Sequence, residues 1–272
     1  MAINYAEKYS AKIDERFKSM ALSTAAVNNE YDFVGVKTVK VYSIETVALG
    51  DYTREGSERY GTPAELQDTV QEMTMSQDRA FTFTIDKGND ADQMGVKNAG
   101  KALQRQIDER VVPEIDKYRF SVMAAKAKNS ATKAITADNA YEAFLDGCAK
   151  LDDELAPAVG RVAYVTPAFY KFLKLDDSFI KASDMGQAML IKGQVGEVDG
   201  VAIVKVPTSY LPANVAFLIT NQVATCAPVK LAEYKVHDNP PGINGYLVEG
   251  RVYYDAFVLD NKAGAIYKHL TA

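Results

Sequence analysis

Two histidines are the only imidazoles in the chain, His237 in KVHDNPPG and His269 near the end of the sequence. A metal-binding or catalytic histidine needs a partner at a spacing that puts both on one helix face, as in HxxxH or HExxH, and neither has one. GxSxG and GxxxxGKS/T are also absent, so the sequence shows neither a nucleophile elbow nor a phosphate loop. Both histidines are read as surface residues. Asp86, Asp90 and Asp92 alternate like the oxygen ligands of a calcium loop, but Gly88 occupies a ligand position and the closing Glu is missing. Helix capping, with acidic charge near a helix N-terminus, explains them better. Asp152, Asp153 and Glu154 form an acidic run of the kind that ends a solvated helix. GQVGEVDG carries its glycines off the GxGxxG spacing and ahead of a strand, which makes it a turn. Cys148 and Cys226 are far apart without a partner pattern, so reduced thiols are expected, with neither a disulfide nor a zinc site. No catalytic centre, cofactor or metal follows from these residues.

The composition describes what such a chain can do instead. With 272 residues, 47% hydrophobic and 25% charged, it can bury a substantial core as one large domain or two smaller ones. A net charge of -5 lacks the basic footprint of a nucleic-acid reader, so any contact with DNA is expected to be weak and local. Lys126, Lys128 and Lys133, the densest basic stretch, read as a solvated helix end. The 16 tyrosines, without tryptophan, are dispersed and fit core and interface packing better than nucleotide stacking. No signal-peptide core and no apolar run of about 18 residues occurs, so the expectation is a protein that stays in the cytoplasm where it is made, with no membrane partner.

The elements follow from periodicity. Tyr5, Tyr9, Ile13 and Phe17 recur at steps of four, which predicts an amphipathic helix detached from any nearby core and suited to docking on a partner. Val, Thr, Tyr and Ile dominate from Phe33 to Val47, and Phe81, Phe83 and Ile85 alternate, so both stretches read as strands. Between them lies a long polar excursion containing Arg54, Glu55, Glu58 and Arg59, with a short helix expected from Pro63 to Glu72 capped by Thr62. Strands flanking such a loop predict a projecting arm. From Asp92 to Lys128 the apolar spacing is helical, about 55 Å if continuous. Pro113 removes a donor and crowds the Glu109 carbonyl, so a kink or break belongs there. A helix from Asp138 to Leu151, capped by Asp138, presents Tyr141, Phe144, Leu145 and Cys148. Arg161 to Val165 reads as a strand leading into a short helix opened by Thr166 and Pro167. GEVDGVAIVKVP reads as a hairpin turning at Asp199 and Gly200, and VAFLIT as a buried strand. The final segment predicts another strand pair, turning near Asn261 to Gly264.

Four segments occur in a telling order: RVVPEIDKYRF at Arg110 to Phe120, RVAYVTPAFYKFLK at Arg161 to Lys174, GEVDGVAIVKVPTSYLP at Gly196 to Pro212, and RVYYDAFVLDNKAGAIY at Arg251 to Tyr267. In this order the chain resembles, over nearly its whole length, the major capsid proteins of tailed bacteriophages and prophages, which have the Hong Kong 97-type fold. The resemblance implies an α+β fold with an N-terminal arm at 1–30 and an extended loop with flanking strands at 31–88. It implies a spine helix and peripheral domain at 89–134, an axial domain at 135–235 and return strands of the peripheral domain at 236–272. It further implies a structural protein and no enzyme: copies assemble through pentamers and hexamers into an icosahedral shell, by heterologous contacts that close into rings. Subunit-interface candidates are Tyr5, Tyr9, Ile13 and Phe17 in the arm and Arg54, Glu55, Glu58 and Arg59 in the loop.

Expected partners are further copies of the chain, a portal, and packaged double-stranded DNA in non-specific contact. Some members of the family carry a scaffolding segment ahead of the arm; none is present here, so a separate scaffolding protein is expected. Some members weld subunits through a lysine of the extended loop, but no lysine lies between Lys40 and Lys87, so a noncovalent shell is expected. The implied location is the virion capsid, assembled in the host bacterial cytoplasm. An encapsulin-like nanocompartment enclosing cargo enzymes shares the fold and is the alternative; the Tyr-rich arm and long loop favour the phage shell.

Overall fold

The computed structural model describes residues 21–28, 30–31, 33, 37–63, 65–92, 98–177 and 196–271. The predicted helix bearing Tyr5, Tyr9, Ile13 and Phe17 lies outside them.

A six-stranded sheet, ordered β4-β13-β8-β5-β7-β6, forms the centre of the larger half. Its strands are β4 (Asn129–Thr132), β5 (Arg161–Val165), β6 (Glu197–Val198), β7 (Val201–Lys205), β8 (Val215–Asn221) and β13 (Tyr267–Leu270). β5 and β8 are buried along their whole length because both faces of the sheet are covered, which is why their sequences run apolar instead of alternating. Ala163, Val165, Phe217 and Ile219 face helices α4 (Ala140–Asp153) and α5 (Pro167–Leu175) through Phe144, Leu151, Phe169 and Leu173. Val162, Tyr164 and Leu218 face Phe120 and Met123 of α3 (Val112–Lys126). The β6–β7 hairpin turns at Asp199 (φ 52°) and Gly200 (φ 71°), the left-handed pair that a two-residue hairpin requires.

A second sheet of three antiparallel strands, β10-β11-β3, uses β3 (Gln77–Asp86), β10 (Val229–Asp238) and β11 (Gly245–Tyr254). Its alternating face buries Ile85 and Val248 against Ala99 of α2 (Ala99–Gln106), with Phe81, Phe83 and Leu103 around them. Gly250 is required here: a Cβ would stand 2.4 Å from the Phe81 ring, and Tyr234 closes the other side at 2.9 Å.

The expected long helix runs from α2 through a wide turn at Ile107–Val111 into α3, about 42 Å over residues 99–126 at 1.5 Å each. The helix continues through Pro113 without a break. One residue earlier, the Val112 N–H donates to the Ile107 carbonyl, an i→i+5 bond that widens the turn where the proline ring crowds the Glu109 carbonyl. α1 (Lys87–Asp92) begins where Asp86 Oδ1 accepts from the Gly88 and Asn89 amides at 2.9 and 3.2 Å, the capping role inferred for that carboxylate.

Four expectations are corrected. The segment from Pro63 to Glu72 is not a helix capped by Thr62: β2 (Asp68–Thr74) occupies its second half, paired antiparallel with β1 (Thr38–Ile44) over seven residue pairs, and tertiary pairing overrides its helical propensity. α4 starts at Ala140, not at Asp138, and the Tyr141 amide is capped from a distance by buried Asp176, at 2.9 Å. The closing segment is not a strand pair: β11 pairs with β10 and β3, while β13 joins β8 and β4 in the other sheet. His269 is not a surface residue; it is 2% exposed.

Candidate assembly surfaces

The β1–β2 ladder is two-faced. Val39, Val41 and Met73 turn inward and pack with buried Phe33, Met75 and Leu259, whereas Lys40, Tyr42 and Ile44 point outward. Gln71 fixes its root: the side-chain amide donates to the Val258 carbonyl at 2.8 Å and its oxygen accepts from the Asp260 N–H at 3.0 Å. Asn261 Nδ2 donates to Ser43 Oγ at 3.1 Å. Beyond the ladder one more bond, Glu45 N–H to the Gln67 carbonyl at 3.1 Å, closes the pair. From there the chain projects as an arm, as the long excursion predicted.

The arm's tip is a turn closed by Thr53 N–H to the Arg59 carbonyl and Gly61 N–H to the Glu58 carbonyl, both at 3.1 Å. This turn brings Arg54, Glu55, Glu58 and Arg59 together, all exposed, with Arg59 Nε donating to the Gly56 carbonyl at 3.1 Å. Tyr52 and Tyr60 meet edge to face with ring centres 5.0 Å apart. The charged residues share this surface with apolar ones. Among the described residues, eight of the thirteen exposed large hydrophobics lie between 42 and 70, including Ile44, Val47, Leu49, Tyr60 and Leu66. Tyr60 is 92% exposed and Leu49 fully so. Large apolar side chains exposed along one segment suit an interaction site. Leu49, Tyr52, Tyr60 and Leu66 lie within the excursion that composition alone makes polar.

Where the arm meets the body, Asp255 gathers four donors. Its Oδ2 accepts from the Ser76 amide at 2.6 Å and the Ser76 hydroxyl at 3.0 Å; its Oδ1 accepts from the Tyr118 hydroxyl at 2.7 Å and the Ala256 amide at 2.8 Å. Ser76 sits between β2 and β3 and Tyr118 on α3, so one carboxylate, 2% exposed, ties the arm's root to the long helix and to the end of β11. Burial, together with the hydrogen bond to Asp255, raises the Tyr118 pKa above the ordinary phenol value. A similar clamp holds the chain's early segment: Asp116 accepts from the Leu22 amide at 2.9 Å and the Ser23 hydroxyl at 2.6 Å, while Arg119 Nη1 donates to Ser23 Oγ at 3.1 Å. The Tyr164 hydroxyl adds a bond to the Leu22 carbonyl at 3.0 Å.

The groups that chemistry would call on are engaged structurally. His269 stacks on Phe217 with ring centres 5.0 Å apart, sits 3.2 Å from the Tyr267 hydroxyl, and has Nε2 3.0 Å from the Lys133 carbonyl. Burial lowers its pKa, so the neutral ring is favoured, donating through Nε2 and accepting from Tyr267. His237 lies on the exposed sheet face, 3.2 Å from Glu249. Burial pushes the Cys148 thiol up to about 12, with Asp199 adding to the effect, which leaves it protonated and a poor nucleophile. Asp152 pairs with buried Arg161 at 2.7 Å and Glu154 with Lys128 at 2.7 Å. Among the described residues no cluster of three metal-ligating side chains occurs, and no helix is long and apolar enough to cross a membrane.

No protein-family model matches the chain, and no curated protein matches it by sequence. Solved structures do. A structure from Mycobacterium phage Che8 superposes with a TM-score of 0.81 at 17% identity, covering 98% of each chain. The capsid structure of cyanophage P-SCSP1u gives 0.81 at 12% identity, covering 98% of this chain and 93% of that one. The mature capsid of bacteriophage PhiM1 gives 0.76 at 12%, covering 99% and 92%. The fold is the Hong Kong 97-type capsid fold. It is mixed helix and sheet across the described residues, as the four ordered segments implied, and the β1–β2 arm and the long helix are both present in it.

Proposed function

We propose that this protein is the major capsid protein of a tailed phage, a structural and non-enzymatic subunit that assembles with copies of itself into an icosahedral shell around double-stranded DNA. The observation that carries the reading is the arm: a rooted β-ladder whose far end exposes leucine, isoleucine, valine and tyrosine that no other described residue covers. In an isolated subunit that surface costs solubility. On a neighbouring copy it is buried, and repeating the contact around rings of five and six closes a shell from individually modest interfaces. Arg54, Glu55, Glu58 and Arg59 border this apolar surface and set its register on the neighbour by charges of both signs, a role shared with Tyr5, Tyr9, Ile13 and Phe17 of the N-terminal arm. A portal, a separate scaffolding protein and loosely held DNA complete the partners. The net charge of -5 agrees with loose confinement of DNA, because tight phosphate binding would oppose packaging and release. Assembly in the bacterial cytoplasm follows from this role.

The direct test replaces Leu49 and Tyr60 by aspartate. Both side chains stand in solvent, so the unfolding midpoint of the subunit is expected to stay within about 2 °C of the parent, as surface substitutions usually do, while sedimentation shows loss of large particles. Particles of undiminished yield from the double variant would overturn the role of the arm.

A further inference from the structure

A cleft of about 170 Å³ opens between the long helix and the three-stranded sheet. Widened helical turns recur at functional sites, and the one at Ile107–Val111 places Arg110 and Val111 on the wall of this cleft. Its floor is apolar: Phe81 and Val252 come from the sheet, Val111 and Ile115 from the helix. Pockets that take a whole small molecule hold about 300 Å³ or more. This one holds the volume of about six waters, at roughly 30 Å³ each. That is room for one apolar side chain.

The polar groups around this floor are mostly donors. Arg79, Arg110 and Glu114 are exposed and line the cleft, with Gln106 the neutral fourth. Arg79 Nη2 donates to Gln77 Oε1 at 3.2 Å, while the side chains of Arg110 and Glu114 have no ion-pair or hydrogen-bond partner among the described residues. Arg105 and Glu109, paired at 3.2 Å, cancel each other on a neighbouring cleft. Tyr254 completes the lining. It is 2% exposed and packs edge to face on Tyr118, ring centres 5.7 Å apart. Its hydroxyl bonds to no described residue and is not sealed off, so the cleft is where it meets solvent. Burial raises the Tyr254 pKa, the Glu114 carboxylate adding to the effect, so the phenol keeps its proton and stays a donor.

We infer that this cleft receives the C-terminal residue of a partner protein, an apolar one, with its carboxylate on Arg79, Arg110 and the Tyr254 hydroxyl and its amide N–H on Glu114. Each part of that ligand answers a group on the wall. The side chain covers the floor of Phe81, Val111, Ile115 and Val252, and the carboxylate supplies the acceptor that two guanidiniums and a phenol lack. Glu114 repels a bare anion but accepts from an N–H. A nucleic-acid phosphate would leave the apolar floor empty and bring no donor to Glu114. On a second copy of this chain the described carboxylates belong to Asp and Glu side chains, which carry no apolar side chain on the same Cα. Such a contact is independent of shell formation.

Fluorescence anisotropy of the full chain with an N-terminally labelled Gly-Gly-Ser-Leu peptide tests this. The peptide with a free carboxylate is expected to bind about tenfold or more tightly than the same peptide ending in an amide, which forfeits the charge-assisted bonds. Arg110→Ala changes an exposed side chain, and Tyr254→Phe removes only a hydroxyl that bonds to no described residue. Each is expected to weaken binding of the acid by about tenfold, with the unfolding midpoint within about 2 °C of the parent. No saturable binding, equal binding of acid and amide, or unchanged binding in both variants would overturn the assignment. Displacement of the peptide by a short oligonucleotide would make the cleft a phosphate site, and loss of binding as subunits associate would give it to a second copy; either result also overturns it. Should Tyr254→Phe fail to fold, Arg110→Ala decides the question. Particle formation is not the readout, so failure here leaves the shell reading standing.

Discussion

Replacing Asp255 by asparagine isolates what one buried carboxylate does at the root of the arm. Both of its oxygens are occupied as acceptors, Oδ2 by two donors of Ser76 and Oδ1 by Tyr118 and Ala256. Asparagine keeps the shape but turns one acceptor into an N–H₂ donor. Whichever way the amide is turned, a backbone N–H and a hydroxyl then face the N–H₂ group, and only the hydroxyl can turn to accept from it, in a site 2% open to solvent. Losing two charge-assisted bonds at about 1.5–3 kcal/mol each, with partial rescue by side-chain rotation, gives an expected destabilisation of about 3–5 kcal/mol. Urea unfolding of the unassembled subunit measures this through the midpoint at constant slope. Limited proteolysis adds a local readout: the β1–β2 arm should be cut faster in the variant than in the parent, since Ser76 no longer anchors it. A loss below about 1 kcal/mol, with unchanged cleavage of the arm, would refute the assignment of Asp255 as the anchor.

Gly250→Ala is expected to destabilise the three-stranded sheet by about 1–3 kcal/mol, read by thermal unfolding, because the added methyl overlaps the Phe81 ring. An unchanged midpoint would show that the ring moves aside freely. For His269 the fold favours the neutral ring, so the unfolded chain, with its ordinary value of 6.5, binds more protons below that pH and stability falls as pH drops from 6.5 toward the lower folded value. Comparing the parent with His269→Gln between pH 8 and pH 5 should reveal an acid-dependent loss that the variant lacks; parallel curves would contradict it. Because no lysine lies between Lys40 and Lys87, denaturing electrophoresis of mature particles should give a single band at subunit mass, and a ladder of linked subunits would show a covalent shell.

The legible parts of the fold were those written in local periodicity. Phe81, Phe83 and Ile85 alternate because one face of β3 is buried, Thr166 and Pro167 open α5, and Asp199–Gly200 turns the β6–β7 hairpin. What local reading missed is set by residues distant in sequence. β2 is a strand because β1 pairs with it, the start of α4 is capped by Asp176 from 35 residues away, and β13 is drawn into the larger sheet by β8. Pro113 announced a disturbance of the long helix, but only the geometry shows it absorbed as a widened turn. The charged tip of the arm was found from its composition. Its apolar surface was overlooked because a stretch rich in Gly, Arg and Glu was averaged as polar, whereas exposure is decided residue by residue. His269 was misjudged because a lone histidine carries no signal of burial until Phe217 and Tyr267 are seen around it.

Electron microscopy of the purified, full-length protein at rising concentration, alone and co-expressed with its neighbouring morphogenetic genes, puts self-assembly to its most direct trial. Closed particles of uniform diameter, built of five- and six-membered rings with each arm lying across an adjacent subunit, are the predicted outcome. Well-folded subunits that stay single in every one of those conditions would contradict it.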